Sequence, residues 1–262
     1  MSAIAPPVAA PPEAAANPRR IRLIGLAVLL VAACALPFLV SNYRTFQFTL
    51  VLVYAIALLG LNILTGYNGQ ISLGHGAFYA IGAYVAAILM DRFGVPYWAT
   101  VPIAGALCLV VGFLFGLPAL RLEGHYLALA TFALGVTMPQ LLKNKYVEHW
   151  TGGVQGIVIV KPDAPFGLKL SPDQWLYLFT LVITVARFVI GGLASLPGAV
   201  FGAVFIQFIP TIADQISKAA PWAIYGIFLI GFMFQMPMGI NGAIRLGWAR
   251  FRHRKSAQRE GG

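Results

Sequence analysis

The sequence predicts an all-α fold, a polytopic transmembrane helical bundle of about eight spans with a glycine-rich broken segment near residues 65–76. Of its 262 residues, 59% are hydrophobic and only 10% are charged, whereas soluble domains carry about a quarter charged residues. Apolar runs of roughly 17 to 24 residues recur from Leu23 to Ile244, and about 20 such residues cross a ~30 Å hydrocarbon layer. These observations exclude a disordered chain, a disulfide scaffold and a globular nucleic-acid binder.

The spans are assigned from the apolar runs between polar turns. They comprise residues 23–40, 48–64, 78–90, 97–116, 126–142, 175–190, 198–213 and 222–244. The stretch 175–213 also allows a single broken segment, but two short spans keep both basic ends on one side. We assign residues 19–247 to a transmembrane domain, 1–18 to a disordered cytoplasmic tail and 248–262 to a basic cytoplasmic tail.

The net charge of +10 is concentrated at the two ends of the chain. Nine of the eighteen basic residues flank the outermost spans: Arg19, Arg20, Arg22, Arg245, Arg250, Arg252, Arg254, Lys255 and Arg259. Cytoplasmic segments of membrane proteins carry such an excess of Lys and Arg. We therefore expect both termini in the cytoplasm and attraction to anionic membrane lipid, and no nucleic-acid partner.

Glycines and uncharged polar residues interrupt the apolar pattern between Thr65 and Gly76. Irregular backbone at membrane depth is tolerated where it is buried in protein or lines a cavity, and broken helices in transporters present backbone groups to substrates. A second interpretation is a short cytoplasmic loop followed by a helix whose glycines only allow close packing. Composition alone leaves both open. Under the first, the candidate substrate-path residues are Asn68, Gln70, Ser72, Gly74 and His75.

Lys143–Gln174 is a polar stretch of thirty-two residues between apolar runs. A loop of this length between compact spans is usually functional or disordered. Its glycine pair Gly152-Gly153 and its prolines Pro162, Pro165 and Pro172 favour structured turns over helix. Alternation of the spans places residues 143–174 in the periplasm.

Motifs for catalysis and cofactor binding are absent from the sequence. No G-x-x-x-x-G-K-[ST] loop occurs to cradle nucleotide phosphates, and no H-E-x-x-H pair occurs to bind zinc. Cys34 and Cys108 both fall in apolar runs without metal or redox spacing, which favours packing roles. We therefore predict a non-catalytic membrane subunit without a metal or cofactor of its own.

Four segments, in order, resemble the permeases of branched-chain amino-acid ABC importers, and specifically their M-type (LivM-like) subunits. They are Gly60–Leu89, Arg121–Leu134, Thr151–Ile157 and Gly191–Ala203. The resemblance implies an inner-membrane protein that pairs with an H-type permease subunit. It further implies substrate delivery by a periplasmic amino-acid-binding protein and ATP binding by two separate ATP-binding subunits.

The resemblance also gives roles to residues outside the broken segment. Lys161 and Lys169 lie where a binding protein would dock. Members of the family carry a charged cytoplasmic loop that contacts the ATPase, followed by further spans, where this chain has the short connection 184–191. The chain therefore resembles an internally shortened member, and Arg121 and Glu123 of the inner loop 117–125 are the candidate contacts for ATPase coupling.

Two other functions remain compatible with the sequence. A transport-deficient scaffold subunit would keep the packing surfaces and lack the coupling loop. A related permease for urea or short amides would share the motifs and differ only in its substrate.

Overall fold

The computed structural model describes residues 18–70, 72–119, 121–122, 124–191, 196–216 and 221–235. The described chain is helical, and its α-helices are α1 (Pro18–Leu39), α2 (Asn42–Asn68), α3 (His75–Phe93), α4 (Tyr97–Ala119), α5 (His125–Leu142), α6 (Glu148–Thr151), α7 (Pro172–Gly191), α8 (Leu196–Ile216) and α9 (Pro221–Gln235). A 3-10 turn covers Pro165–Gly167. Nearly all of the predicted N-terminal tail and the whole predicted C-terminal tail lie outside the described residues.

The predicted polytopic helical bundle is confirmed. Within the described residues, five helices are long and apolar enough to cross a membrane, namely α2, α3, α4, α5 and α8, and Ala27–Leu39 of α1 is a shorter apolar helix. Each of the eight predicted apolar segments contains helix, and the stretch 175–213 forms two separate helices. Eight crossings remain a prediction, because the other helices do not meet the same length and hydropathy requirements.

Two predicted boundaries of α2 are wrong. The segment 41–47 is not an outer turn, because Thr45 donates its N–H to the Ser41 carbonyl at 2.9 Å and the helix already begins at Asn42. At the other end, helix continues through Asn68 and stops at Gly69, whose φ of 65° is left-handed. Glycine adopts this conformation without a Cβ penalty and commonly ends helices. The break is therefore shorter than predicted, since helix resumes at His75 and the described residues between the two helices are 69, 70 and 72–74.

Packing is organised around α2, which contacts α7 and α8 extensively, while α3 packs against α4 and α5. Small residues bring α8 close to α2: Ala203 is fully buried against Val51 and Ala55. A Cβ atom on Gly202 would lie 3.0 Å from Leu58 Cδ1. Close approach through small residues is the usual packing device where lipid replaces water around the helices.

The polar region 143–174 is folded into turns, as predicted, with the short helix α6 in addition. Gly152, Gly153, Gly156 and Gly167 all have positive φ. The region docks on the end of α3, where Arg92 Nη2 donates to the His149 carbonyl at 2.7 Å and the rings of Phe93 and Trp150 stack at 6.4 Å. Its side of the membrane remains a prediction.

Candidate functional site

The break between α2 and α3 returns into the bundle. His75, the first residue of α3, contacts Gly60 of α2, because a Cβ on Gly60 would lie 3.1 Å from His75 Cε1 and 3.3 Å from His75 Nε2. Gly60 precedes the end of α2 by eight residues, or about 12 Å at 1.5 Å per residue. The chain therefore leaves α2 at Asn68, turns back as residues 69–74, and starts α3 two helical turns inside the bundle.

Contacts with α5 hold the irregular residues in place. Leu73 donates its backbone N–H to Thr131 Oγ1 at 3.0 Å, and the same hydroxyl donates to the Ala128 carbonyl at 3.0 Å. Gly74 is buried so closely against α5 that a Cβ there would lie 2.6 Å from the Thr131 carbonyl oxygen. A Cβ on Gly135 would likewise lie 3.1 Å from the Leu73 carbonyl oxygen. Glycine on both sides thus allows the two backbones to touch.

The first turn of α3 opens toward this break. Gly74 is its N-cap residue and offers no side-chain hydrogen bond to the exposed amides. The Ala77 N–H is satisfied by the Gly74 carbonyl at 3.0 Å. The remaining first-turn N–H groups of a helix carry partial positive charge and favour anionic partners.

The predicted substrate-path residues lie around this break with different environments. Asn68 is the last residue of α2, and its side chain lies outside the described part of the structure. Gln70, Ser72 and His75 are half-buried, and their side chains make no hydrogen bond to a described residue. Gly74 faces α5 rather than open space. Their role in a substrate path remains a prediction.

One ionisable residue that we did not predict lies beside His75. Arg187 Nη2, from α7, is 3.8 Å from the position that a Cβ on Gly60 would occupy. Gly60 is therefore flanked by the His75 ring and the Arg187 guanidinium. The signal was present in the sequence, since Arg187 is the one charged residue between Trp175 and Ala213 and charged residues within membrane segments are commonly functional.

The acidic residues that the structure describes lie away from this site. Contacts orient the helices around α2: Ser171 Oγ, just before α7, is 3.3 Å from Asn42 Oδ1, and the rings of Phe48 and Phe208 meet at 6.2 Å. Helix α7 therefore runs parallel to α2, and α8 runs antiparallel. The acidic residues that the structure describes are Asp91, Glu148, Asp163, Asp173 and Asp214, and all of them lie toward the Asn42 end of α2, away from the break.

The other predicted functional residues lie apart from the break. Arg121 is exposed in the turn between α4 and α5, whereas Glu123 lies outside the described residues. Lys161 is paired with Asp173 at 2.7 Å and lies 4.8 Å from the centre of the Phe46 ring. Lys169 is exposed and makes no ion pair within the described chain. That part of the chain also holds no group of three or more His, Cys, Asp or Glu residues arranged to bind a metal ion.

An apolar multi-helix bundle with an irregular polar link inside it is the architecture of a membrane permease. The family model of the branched-chain amino acid transport system permease component matches residues 43–186. This match covers more than half of the chain, so the chain belongs to that family. Three of the four motifs that carry the resemblance fall inside the match, and the fourth, Gly191–Ala203, lies beyond it.

Two curated relatives agree with the family match. The high-affinity branched-chain amino acid transport system permease protein LivM of Escherichia coli strain K12 is 44% identical over 146 residues, which cover 56% of this chain and 34% of LivM. LivM of Salmonella typhimurium strain LT2 is 42% identical with the same coverage. This chain thus spans about a third of the length of these relatives. No solved structure matches it. The chain is therefore a member of this permease family that is similar to LivM, and several of its described helices are long and apolar enough to cross a membrane.

Proposed function

We propose that this chain is a permease subunit of an ATP-driven importer for branched-chain amino acids. It forms the translocation path together with an H-type permease subunit. A periplasmic amino-acid-binding protein delivers the substrate, and two ATP-binding subunits drive the cycle in the cytoplasm. The observation that carries this proposal is the irregular link 69–74, which α5 holds inside the bundle through the bond from Leu73 to Thr131.

The link suits a zwitterionic substrate. Backbone outside regular helix exposes N–H and carbonyl groups that a bilayer cannot satisfy, at a cost of several kcal/mol each. The first-turn amides of α3 favour a carboxylate. Carbonyl oxygens of the link and the half-buried Gln70 and Ser72 side chains favour an ammonium group. The substrate would therefore replace water at groups that the helices leave unpaired.

Coupling to ATP hydrolysis requires a cytoplasmic contact surface. The turn between α4 and α5 presents the exposed Arg121 at the end of the bundle near the break, where the predicted topology places the cytoplasm. We assign Arg121 and the neighbouring Glu123 to this contact. No nucleotide motif occurs in the chain itself.

A second candidate function is that of a transport-deficient scaffold subunit. The observation that favours it is the short connection between α7, which ends at Gly191, and α8, which begins at Leu196, because the resemblance implies a charged coupling loop in this region. Such a subunit would assemble with its partners without moving substrate.

Reconstitution distinguishes the two functions. The chain is co-purified with its partner permease and ATP-binding subunits, placed in proteoliposomes with the binding protein, and assayed for uptake of radiolabelled leucine and, in parallel, urea. ATP-dependent leucine uptake that requires this chain supports the importer. Assembly of the complex without uptake of either compound supports the scaffold. Uptake of urea alone identifies an amide permease.

A further inference from the structure

We propose that Arg187 and His75 together form the carboxylate-binding subsite of the translocation path. The inference rests on the proposed function, because it takes the substrate to be an amino acid. It adds a residue from α7 to the site and assigns Arg187 the recognition of the one anionic group that every α-amino acid carries. Arg187 is thereby a specificity-determining residue for transport.

The two side chains converge on one point of α2. A single position, that of a Cβ on Gly60, would lie 3.3 Å from His75 Nε2 and 3.8 Å from Arg187 Nη2. These residues come from α3 and α7, so three helices contribute to this point. His75 is half-buried there, and Arg187 is exposed on the isolated chain. The absence of a side chain on Gly60 lets the His75 ring approach the α2 backbone closely, beside the Arg187 guanidinium.

No described acidic residue compensates the charge around this point. Within the described chain, the Lys161–Asp173 and Asp91–Arg92 pairs account for the ion pairs, and neither the Arg187 guanidinium nor the His75 ring makes a hydrogen bond. Every described acidic residue lies toward the opposite end of the bundle. An arginine within membrane helices ordinarily pairs with another group because its isolated charge is costly in lipid. Since the described residues offer Arg187 no anionic partner, we take the substrate carboxylate to be that partner.

A carboxylate fits this pair of donors. Guanidinium is planar and donates two parallel hydrogen bonds to the two oxygens of a carboxylate, and such charge-assisted bonds are about twice as strong as neutral ones. Imidazole can add a further N–H donor. A lipid phosphate offers similar oxygens, and Arg187 is exposed on the isolated chain, so the test compares vesicles of neutral and anionic lipid to distinguish a headgroup from a solute.

The test uses a thiol at the site in the assembled transporter. Gly60→Cys is introduced with Cys34→Ala and Cys108→Ala, and the complex is reconstituted in proteoliposomes. Rates of modification are measured with anionic and cationic methanethiosulfonates of similar size. A Cβ at position 60 requires the ring of His75 to shift slightly. Ser72→Cys is therefore measured in parallel, as a thiol at a second position near the site.

Two results are expected. The anionic reagent reacts faster than the cationic one. Arg187→Gln removes this preference, whereas Arg187→Lys keeps it, because the arginine and lysine side chains are both positively charged and attract anions. Leucine slows the modification, whereas leucinol, which has the same side chain and amine without a carboxylate, does not. Arg187→Lys keeps the charge but weakens the protection by leucine about tenfold or more, because lysine cannot make the bidentate contact.

Several outcomes would overturn the inference. They are equal protection by leucine and leucinol, full protection in Arg187→Lys, and no reaction at either thiol with either reagent. A fourth is an anionic preference that changes between vesicles of neutral and anionic lipid, which would identify a headgroup as the ligand. ATP-dependent leucine uptake by the same vesicles is measured separately. Uptake without leucine protection overturns only the subsite, while absence of uptake by the unsubstituted complex overturns the proposed function as well.

Discussion

The backbone N–H of Leu73 donates a hydrogen bond to Thr131 Oγ1 at 3.0 Å, joining two residues that are 58 positions apart in the chain. This bond ties the irregular link before α3 to the middle of α5. Close contacts of Gly74 and Gly135 with the opposite backbone lie beside it. The link is consequently held by one side-chain hydroxyl and two glycines, and each can be changed separately.

We expect Thr131→Val to loosen the link without removing α5. Valine has nearly the same shape but no hydroxyl, so the Leu73 N–H loses its partner, at a cost of about 0.5–1.5 kcal/mol for an exposed hydrogen bond. Amide hydrogen exchange across residues 69–74 should become faster. Thr131→Ser keeps the hydroxyl and should restore slow exchange. Thr211→Val is the matched control, because the Thr211 hydroxyl bonds only to the Gln207 carbonyl of its own helix. Unchanged exchange in Thr131→Val would contradict the assigned role of this bond.

Gly74→Ala should destabilise the folded chain. The added Cβ would lie 2.6 Å from the Thr131 carbonyl oxygen, and a backbone oxygen cannot move aside without shifting α5. Overpacking of this kind typically costs about 1–3 kcal/mol. Thermal unfolding of the detergent-solubilised protein should therefore occur at a lower temperature. Gly105→Ala in α4 is the control, since a Cβ there meets nothing within 4 Å, and equal melting of the two variants would refute the close contact.

Much of the fold could be predicted because a bilayer imposes strict demands on a sequence. Spanning segments must be apolar and must satisfy their own backbone groups, so the apolar runs located every long helix.

The ends of the helices were harder to predict from the sequence. Residues 65–68 contain glycine and polar side chains and were predicted to be irregular, yet helix continues to Asn68 and only Gly69 turns left-handed. One glycine within a helix costs about 1 kcal/mol, which neighbouring contacts readily offset.

The candidate site was predicted only in part for a different reason. Gly69–Gly74 stood out because neighbouring polar and glycine residues interrupt an apolar pattern. Arg187 is distant in sequence from both Gly60 and His75, and their proximity depends on α7 running parallel to α2. That orientation follows from packing between helices, which periodicity along one chain does not encode. The charge of Arg187 was visible in the sequence, but its neighbours were not.

Both termini should face the cytoplasm, because nine basic residues flank the outermost spans. Alkaline phosphatase is active only when exported, so a fusion after Gly262 should be inactive and a fusion near Asp163 should be active. Green fluorescent protein fusions, which fluoresce in the cytoplasm, should give the reverse pattern. An active phosphatase after Gly262 would refute an even number of crossings between cytoplasmic ends.

Lys169 should contribute more than Lys161 to stimulation by the binding protein. The charge of Lys161 is largely balanced by Asp173 at 2.7 Å, whereas Lys169 is exposed and unpaired within the described chain. Charges on this surface attract a partner over distances that physiological salt limits to about 8 Å. Lys169→Gln should therefore reduce stimulation of ATP-dependent uptake more at low salt than at high salt.

The combined Lys161→Gln and Asp173→Asn substitutions are the control. They remove a balanced pair and should change stimulation little, since exposed pairs contribute about 0–1 kcal/mol. Equal losses from Lys169→Gln at both salt concentrations would show that electrostatic docking at this residue is absent.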